Sequence, residues 1–333
     1  MNIELLKKLS DATGIGHLTE ATDIAAEELS KYADVQKFGS IGLIARIDKG
    51  KTRTIMIEAH IDEVGFIVTH VFDDGFVKVA NVGGNDGRIL SATPVVVHAA
   101  EELSAVFASN PPHLNGENEV KNAEDALLDT GLGKKAKDLI SAGDYVTYDK
   151  RFVTLAGNRV CGKSLDDRAG VLCLIELARR LYDKELDVNL VLCLSEQEEL
   201  GTRGAKTAAF SINCDEAIAI DVSFADAPDV PATKCGKLSL GAMIGISPIL
   251  NRKITDKLKS VAKAKEIPHQ FEVMGGTTGT DADVISVARD GIPCGLLSIP
   301  LRNMHTPAEI VDTADIESVC DILTEYILCG GAL

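Results

Sequence analysis

Three apolar runs, each long enough for a buried strand, end directly in acidic or histidine residues. They are TIMIEAHID at 54–62, LVLCLSEQEE at 190–199 and AIAIDVS at 217–223. Short apolar runs with this kind of boundary are typical of strands at the centre of an α/β sheet. Because ligands bind at the carboxyl ends of the strands in open α/β sheets, the pattern predicts a cluster of polar side chains at one sheet edge.

The rhythm of the predicted elements changes twice along the chain. Residues 1–65 and 161–333 alternate helical and strand-like patterns, whereas residues 66–160 contain short Val-rich runs separated by Gly, Asp, Asn and Pro. We therefore predict an α/β protein, with a discontinuous, mixed-sheet α/β/α catalytic domain and an inserted small β-barrel-like domain. The opening residues MNIELLKKLSD mix charged and apolar side chains, which predicts an amphipathic helix rather than a signal peptide.

Composition excludes two classes of partner. Acidic residues outnumber basic ones by 50 to 34, and no Lys/Arg run with interleaved aromatic residues is present, so nucleic acid is not an expected partner. No stretch approaches the roughly 20 apolar residues that a bilayer crossing needs, so no membrane association is expected. The eight cysteines are scattered, with none in a CxxC pair, which fits a reducing compartment and predicts a cytoplasmic protein.

His60 and Asp62 end the first of the three apolar runs. Alternate strand residues share a face, so the carboxylate can hold one imidazole nitrogen while the other nitrogen binds a metal ion. A histidine at a strand end also commonly makes a purely structural hydrogen bond. This pair is therefore a weak signal when taken alone.

Two groups of neighbouring acidic residues are only partly explained by structural roles such as helix capping or a solvated turn. Asp166 and Asp167 precede an apolar helix, where one acid would cap the helix but an adjacent pair is harder to explain. Glu196, Glu198 and Glu199 follow a buried strand. They form either an acidic, solvated turn or a site where cations offset a costly desolvation.

Asp221 interrupts an apolar strand, and His305 follows the strand-like GLLSIP and a loop. With the residues above, they bring two histidines and several carboxylates, but no cysteine, to one edge of the sheet. This set suits two divalent ions, with Zn and Co favoured and Mn compatible. A pair of ions about 3.5–4 Å apart needs a bridging carboxylate and leaves positions for water. The residues therefore indicate metal-assisted hydrolysis.

The order of the motifs resembles that of the tetrahedral (TET) dinuclear-metal aminopeptidases. This family includes glutamyl and deblocking aminopeptidases, and some members carry the label cellulase or endoglucanase. The resemblance spans essentially the whole chain and rests on AHIDEVGF, PPHL, ALLDTGLGKKAKDLISAGD, GKSLDDRAG, EQEELGTRGA, AIDVS and RNMHTPAEIV. It implies an aminopeptidase that acts on peptides. It also implies a homo-oligomer in which the inserted β domain mediates dimerisation and dimers assemble into a dodecamer.

The resemblance implies five metal ligands. Asp166 would bridge the two ions, with Glu199 and His305 completing one site. His60 and Asp221 would complete the other site. No implied ligand is missing from the sequence.

The resemblance further implies that Glu198 is the general base, and that Asp62 orients His60. Two other functions remain open on the residues alone. A glycoside hydrolase could use the carboxylates of Glu198 and Glu199, although adjacent residues seldom flank one sugar and the chain has no tryptophan. A noncatalytic metal-binding assembly protein would have no need of Glu198.

Overall fold

The computed structural model describes residues 1–38, 42–111, 113 and 122–333. Pro112 and Leu114 of the PPHL motif lie outside the described residues. The α-helices are α1 (Ile3–Asp11), α2 (Glu20–Leu29), α3 (Ala136–Leu139), α4 (Leu165–Leu181), α5 (Arg203–Ser211), α6 (Arg252–Ala264), α7 (Ala282–Ile285) and α8 (Thr313–Leu328). The strands up to the middle of the chain are β1 (Asp34–Lys37), β2 (Gly42–Ile47), β3 (Thr54–His60), β4 (Gly65–Val71), β5 (Val77–Val82), β6 (Pro94–His98), β7 (Glu102–Phe107), β8 (Leu127–Asp129) and β9 (Tyr145–Tyr148). The remaining strands are β10 (Val153–Thr154), β11 (Arg159–Gly162), β12 (Asn189–Ser195), β13 (Glu216–Phe224), β14 (Ala242–Ile246), β15 (His269–Val273), β16 (Cys294–Arg302) and β17 (Glu309–Asp312).

Four strands run parallel at the centre of a large mixed sheet, in the order β12, β3, β13, β16. Antiparallel β2 and β1 extend the sheet beside β12, and antiparallel β17, β11 and β10 extend it beside β16. β14 and β15 branch from β16. The central strands are buried on both faces, which is why their sequences read as continuous apolar runs.

Helices cover both faces of this sheet. Ile55 and Ile57 of β3 pack into a core that includes apolar residues of α1, α2, α4, α6 and α8. Met56, between them, points to the opposite face and packs with residues of α5 and α7. The predicted α/β/α arrangement around a mixed sheet is confirmed. None of the helices in the described part of the chain is long and apolar enough to cross a membrane.

The Val-rich segment forms a closed antiparallel barrel, in the strand order β4, β5, β8, β7, β6, β9. Phe66 lies in its core and packs edge-on against the rings of Phe107 and Tyr148, with centroids 5.1 and 5.6 Å away. The predicted inserted barrel is confirmed. β10 and β11 pair in the large sheet, so the barrel strands end at Tyr148. The division into 1–65 with 161–333 and 66–160 stays a prediction.

The register of the parallel strands aligns the ends that carry polar residues. Ser195, the last residue of β12, pairs with His60, the last residue of β3. Asp221 of β13 pairs with Ser298 of β16. The polar residues that follow the apolar runs therefore lie at one edge of the sheet, as the sequence predicts.

Candidate active site

Two imidazoles direct their Nε2 atoms at the same carboxylate, that of Asp166. His60 is buried, and its Nδ1 lies 3.4 Å from Asp62 Oδ1, at the long end for a hydrogen bond. His305, in the loop after β16, has its Nδ1 2.7 Å from the carbonyl oxygen of Gly84. A carbonyl oxygen only accepts hydrogen bonds, so Nδ1 of His305 carries the proton and Nε2 is free to bind a metal ion.

Asp166 lies between the two imidazoles. Its Oδ1 is 3.0 Å from Nε2 of His60, and its Oδ2 is 3.3 Å from Nε2 of His305. Asp166 belongs to the first turn of α4, but its φ of −78° and ψ of 110° are not helical. This backbone turns the carboxylate away from the helix, so that each oxygen faces a different histidine.

Asp221 and Glu199 complete two groups of potential ligands around Asp166. One group is His60, Asp166 and Asp221; the other is Asp166, Glu199 and His305. Nε2 of His305 is 3.1 Å from Glu199 Oε1, and Nε2 of His60 is 4.0 Å from Asp221 Oδ1. Ligand atoms about 2.0–2.2 Å from a zinc ion lie roughly 3–3.5 Å from one another. The donor atoms and their spacing therefore fit two divalent ions that share Asp166.

The electrostatics of the cluster favour bound cations. Burial raises the pKa of Asp221 well above its usual value, and repulsion from Asp166 adds to the effect. Burial also raises the pKa of Glu198 to about 8, with further contributions from Asp281 and Glu199. Carboxylates packed together away from water are costly to ionise unless positive charge offsets them. Divalent ions would supply that charge.

Burial opposes the charge on Asp166, but hydrogen bonds with His305 and His60 outweigh it and hold the pKa of this carboxyl below its usual value. Burial likewise works against protonation of His60, yet its hydrogen bond with Asp166 and the nearby carboxylate of Asp62 raise the pKa of the imidazole. The clustered carboxylates thus favour a proton on the His60 imidazole. A bound cation would displace it, because metal ligation requires neutral imidazole.

Asp62 makes contacts that the sequence does not predict. Its Oδ1 accepts a hydrogen bond of 3.0 Å from the backbone N–H of Glu198, and its Oδ2 accepts one of 3.3 Å from that of Glu199. The carboxylate thus fixes the turn that carries Glu198, the predicted base, and Glu199, a predicted ligand, in addition to lying beside His60. One residue connects the end of β3 with the end of β12.

A second group of acidic residues, Glu58 and Asp281, lies near the site and is not among the residues that the sequence analysis singles out. The hydroxyl oxygen of Ser195 lies within hydrogen-bond distance of Glu58 Oε1, at 2.8 Å, and of Asp281 Oδ2, at 2.7 Å, and all three side chains are buried. Glu58 precedes His60 by two residues on β3 and shares its face. The sequence does contain a signal for this contact, because Glu58 is a charged residue inside an apolar run and such a residue needs a polar partner.

The barrel contributes backbone atoms to the site through two glycines. A Cβ at Gly83 would lie 2.9 Å from Val64 and 3.2 Å from the Cβ of Glu199. A Cβ at Gly84 would lie 3.1 Å from Nδ1 of His305. Glycine at both positions therefore allows the barrel backbone to approach Glu199 and His305 closely.

Gly170→Ala is expected to destabilise the protein by about 1–2 kcal/mol, because the added methyl group overpacks the first turn of α4. Its Cβ would lie 2.1 Å from Oδ2 of Asp167, a buried side chain whose Oδ1 accepts a 3.0 Å hydrogen bond from the Gly170 N–H. The better helix propensity of alanine, about 1 kcal/mol, offsets only part of this cost. The shift of the urea unfolding midpoint measures the effect.

Gly275→Ala is the matched control, because a Cβ at Gly275 meets no atom within 4 Å. Its stability should stay within about 0.5 kcal/mol of the unmodified protein. A Gly170→Ala protein as stable as this control would show that Asp167 moves aside without cost.

Proteins with an assigned activity or a solved structure are similar to this chain over nearly their whole length. A lysyl aminopeptidase of Pyrococcus furiosus is 32% identical over 326 residues, which cover 95% of this chain and 93% of the relative. The structure of the aminopeptidase APDkam598 from the archaeon Desulfurococcus kamchatkensis has a TM-score of 0.91 and 32% identity, covering 98% of this chain and 94% of that chain. The TET1 peptidase of Pyrococcus horikoshii has a TM-score of 0.86 and 31% identity, covering 98% and 99%.

The fold, the carboxylate–histidine cluster and these similarities define a metal-dependent peptidase of the aminopeptidase class. The sequence model of the M42 glutamyl aminopeptidase family matches residues 41–322, and the chain belongs to this family. The resemblance to the TET aminopeptidases is thereby confirmed. The protein is an aminopeptidase and a hydrolase.

Proposed function

We propose that the protein is a dinuclear metallo-aminopeptidase that releases N-terminal residues from peptides, with Glu198 as the general base. The observation that carries this proposal is the position of Asp166. Its two carboxylate oxygens face the Nε2 atoms of two different histidines, 3.0 and 3.3 Å away. A carboxylate that bridges two ions needs this orientation.

The residues that would hold the ions are those implied by the family resemblance: His60 and Asp221 on one side, Glu199 and His305 on the other, and Asp166 between them. The nitrogen and oxygen donors suit Zn or Co, and Mn is compatible. When bound, two divalent ions would supply Lewis acidity that acidifies water and offsets negative charge on a peptide carbonyl oxygen.

Glu198 would carry out the proton transfers. Its carboxylate accepts a proton from water as the water oxygen bonds to the scissile carbonyl carbon. It then gives this proton to the peptide nitrogen as the C–N bond breaks, which leaves a free amino acid and a shortened peptide. Burial raises the pKa of this carboxyl above its usual value, and neighbouring cations would favour the ionised form that the first step requires. Asp62 supports this role, because it holds the backbone of Glu198 in place.

The two alternative functions have less support. A glycoside hydrolase is not favoured, because the family is one of aminopeptidases and Glu199 faces His305 rather than standing across a sugar from Glu198. A noncatalytic metal-binding assembly protein would not require a half-buried carboxylate with a raised pKa at this position, which Glu198 provides.

We further propose that the barrel, within the predicted inserted domain 66–160, mediates dimerisation and that dimers assemble into a dodecamer. The similarity to the Pyrococcus horikoshii TET1 peptidase, which can assemble into a tetrahedron or a large octahedral shell, supports assembly of this kind. We also propose a cytoplasmic location, which the eight free cysteines support.

Removal of divalent ions with a chelator is expected to abolish cleavage of aminoacyl-p-nitroanilides, and addition of Zn, Co or Mn to the chelator-free protein should restore it. The reason is that the remaining carboxylates and imidazoles provide no substitute for the Lewis acid. A panel of N-terminal residues gives the substrate preference in the same assay, and aryl glycosides serve as the control substrates. Peptidase activity that persists in metal-free protein would rule out the proposed mechanism, and cleavage of the glycosides would favour the first alternative.

A further inference from the structure

We propose that Glu309 is a positioning residue that sets the affinity of one of the two metal sites, the one formed by Asp166, Glu199 and His305. This inference rests on the proposed dinuclear function. Glu309 is not itself placed as a ligand. It acts through the backbone of two residues that are.

The buried carboxylate of Glu309 connects the two ligand-bearing segments directly. Its Oε1 accepts a 2.7 Å hydrogen bond from the backbone N–H of His305, and its Oε2 accepts a 3.1 Å hydrogen bond from that of Asp166. Both oxygens are therefore engaged, each by one ligand residue. These two residues are 139 positions apart in sequence, yet they share this one carboxylate.

The sheet topology explains how one residue reaches both segments. β17, which begins at Glu309, lies between β16 and β11. β16 leads into the loop that carries His305, and β11 leads into α4, which carries Asp166. Gly162, the last residue of β11, pairs with Glu309. Glu309 therefore stands where the two segments leave the sheet.

Both ligand residues have backbones that need support from their surroundings. His305 has a φ of 60°, in the left-handed region that residues other than glycine rarely adopt. Asp166 has non-helical angles within the first turn of a helix. Residues in such conformations persist where neighbouring structure determines them, and the hydrogen bonds to Glu309 provide this support.

Only a carboxylate can accept both hydrogen bonds. A glutamine of the same shape has one acceptor oxygen, so its NH₂ group would face one of the two N–H donors. Glu309→Gln therefore releases one ligand backbone with a minimal change of volume.

The effect should differ between the two ions. The group with Glu199 contains both Asp166 and His305. The group with His60 and Asp221 contains Asp166 but not His305. Nε2 of His60 also contacts Asp166 Oδ1, which helps to hold the carboxylate on the His60 side. Loss of the Glu309 contacts should therefore weaken the ion at Glu199 and His305 more than the ion at His60 and Asp221. Loss of an outer partner of a metal ligand typically costs 10–100-fold in affinity.

The experiment is a Co(II) titration of metal-free protein, followed by calorimetry and by the visible absorption of the bound ion. The unmodified protein should bind two ions, and Glu309→Gln should keep the affinity of one while the other falls by about 10–100-fold. Glu272→Gln is the matched control. Glu272 also accepts two hydrogen bonds, from Ser223 and Ser298, but touches no ligand backbone, so this variant should bind both ions normally.

Equal affinities of Glu309→Gln and the unmodified protein for both ions would overturn the inference. So would an equal loss at both sites accompanied by a lower melting temperature of the metal-free protein, since that pattern indicates a purely structural role. If Glu309→Gln does not fold, Glu309→Asp, which keeps two acceptor oxygens, replaces it in the titration. A loss of affinity at one site supports the inference, and an equal loss at both sites overturns it. Binding of fewer than two ions by the unmodified protein would instead refute the dinuclear function itself.

Discussion

Glu198→Gln is expected to lower kcat for an aminoacyl-p-nitroanilide by about 10²–10⁴-fold, the usual contribution of general acid–base catalysis, while two ions remain bound. The amide has nearly the shape of the carboxylate, but it cannot take up the proton that water must lose. The backbone N–H of Glu198 still donates to Asp62, so the turn should stay in place. Turnover and the metal content per chain, measured on the same preparation, check both halves of this prediction.

Glu196→Gln is the control for this variant. Glu196 lies on the same turn, but its carboxylate accepts a 2.8 Å hydrogen bond from Thr22 and is outside both ligand groups around Asp166. This substitution should leave kcat close to that of the unmodified protein. If Glu198→Gln retained comparable turnover with both ions bound, another residue would have to be the base.

Asp166→Ala is expected to weaken the binding of both ions, each by more than about 100-fold, which is the upper limit for loss of a mere outer partner. Among the described residues, Asp166 is the residue that the His60–Asp166–Asp221 group shares with the Asp166–Glu199–His305 group, and it faces His60 with one oxygen and His305 with the other. Peptidase activity should disappear at ion concentrations that saturate the unmodified protein. Competition titration with a coloured chelator gives the two affinities.

Asp226→Ala provides the comparison for loss of a carboxylate outside the cluster. Asp226 forms a 2.9 Å ion pair with Arg302 near the site but belongs to neither ligand group. The Asp226→Ala variant should bind two ions with the same affinities as the unmodified protein. Retention of one ion at full affinity by Asp166→Ala would mean that Asp166 serves only one site.

The sequence predicts the central sheet well because its signals are local. The runs that became β3, β12 and β13 are apolar over their whole length, as strands buried on both faces must be. Their direction then places His60 and Asp221 at one edge without further information. The barrel is equally predictable from the sequence, since its short Val-rich strands are separated by residues that favour turns.

The sequence does not predict contacts that depend on strands far apart in the chain. Glu309 reads as an ordinary acid at the start of a short strand, and its role requires β17 to lie between β16 and β11. The contact of Asp62 with the Glu198 turn likewise requires β3 and β12 to be neighbours in register. Such pairings are set by the packing of the whole sheet, which no single motif encodes.

The hydrogen bond between His305 and the carbonyl oxygen of Gly84 joins the barrel to the candidate site, so a shift of the Gly84 loop would move one of the proposed metal ligands. If a subunit contact of the barrel shifts the Gly84 loop and thereby changes the affinity for an ion by some factor, the ion must change the strength of that contact by the same factor. Ion concentration would then act as a control of assembly, and assembly as a control of ion occupancy. Metal binding in one subunit would then change how strongly its barrel contacts the neighbouring subunit.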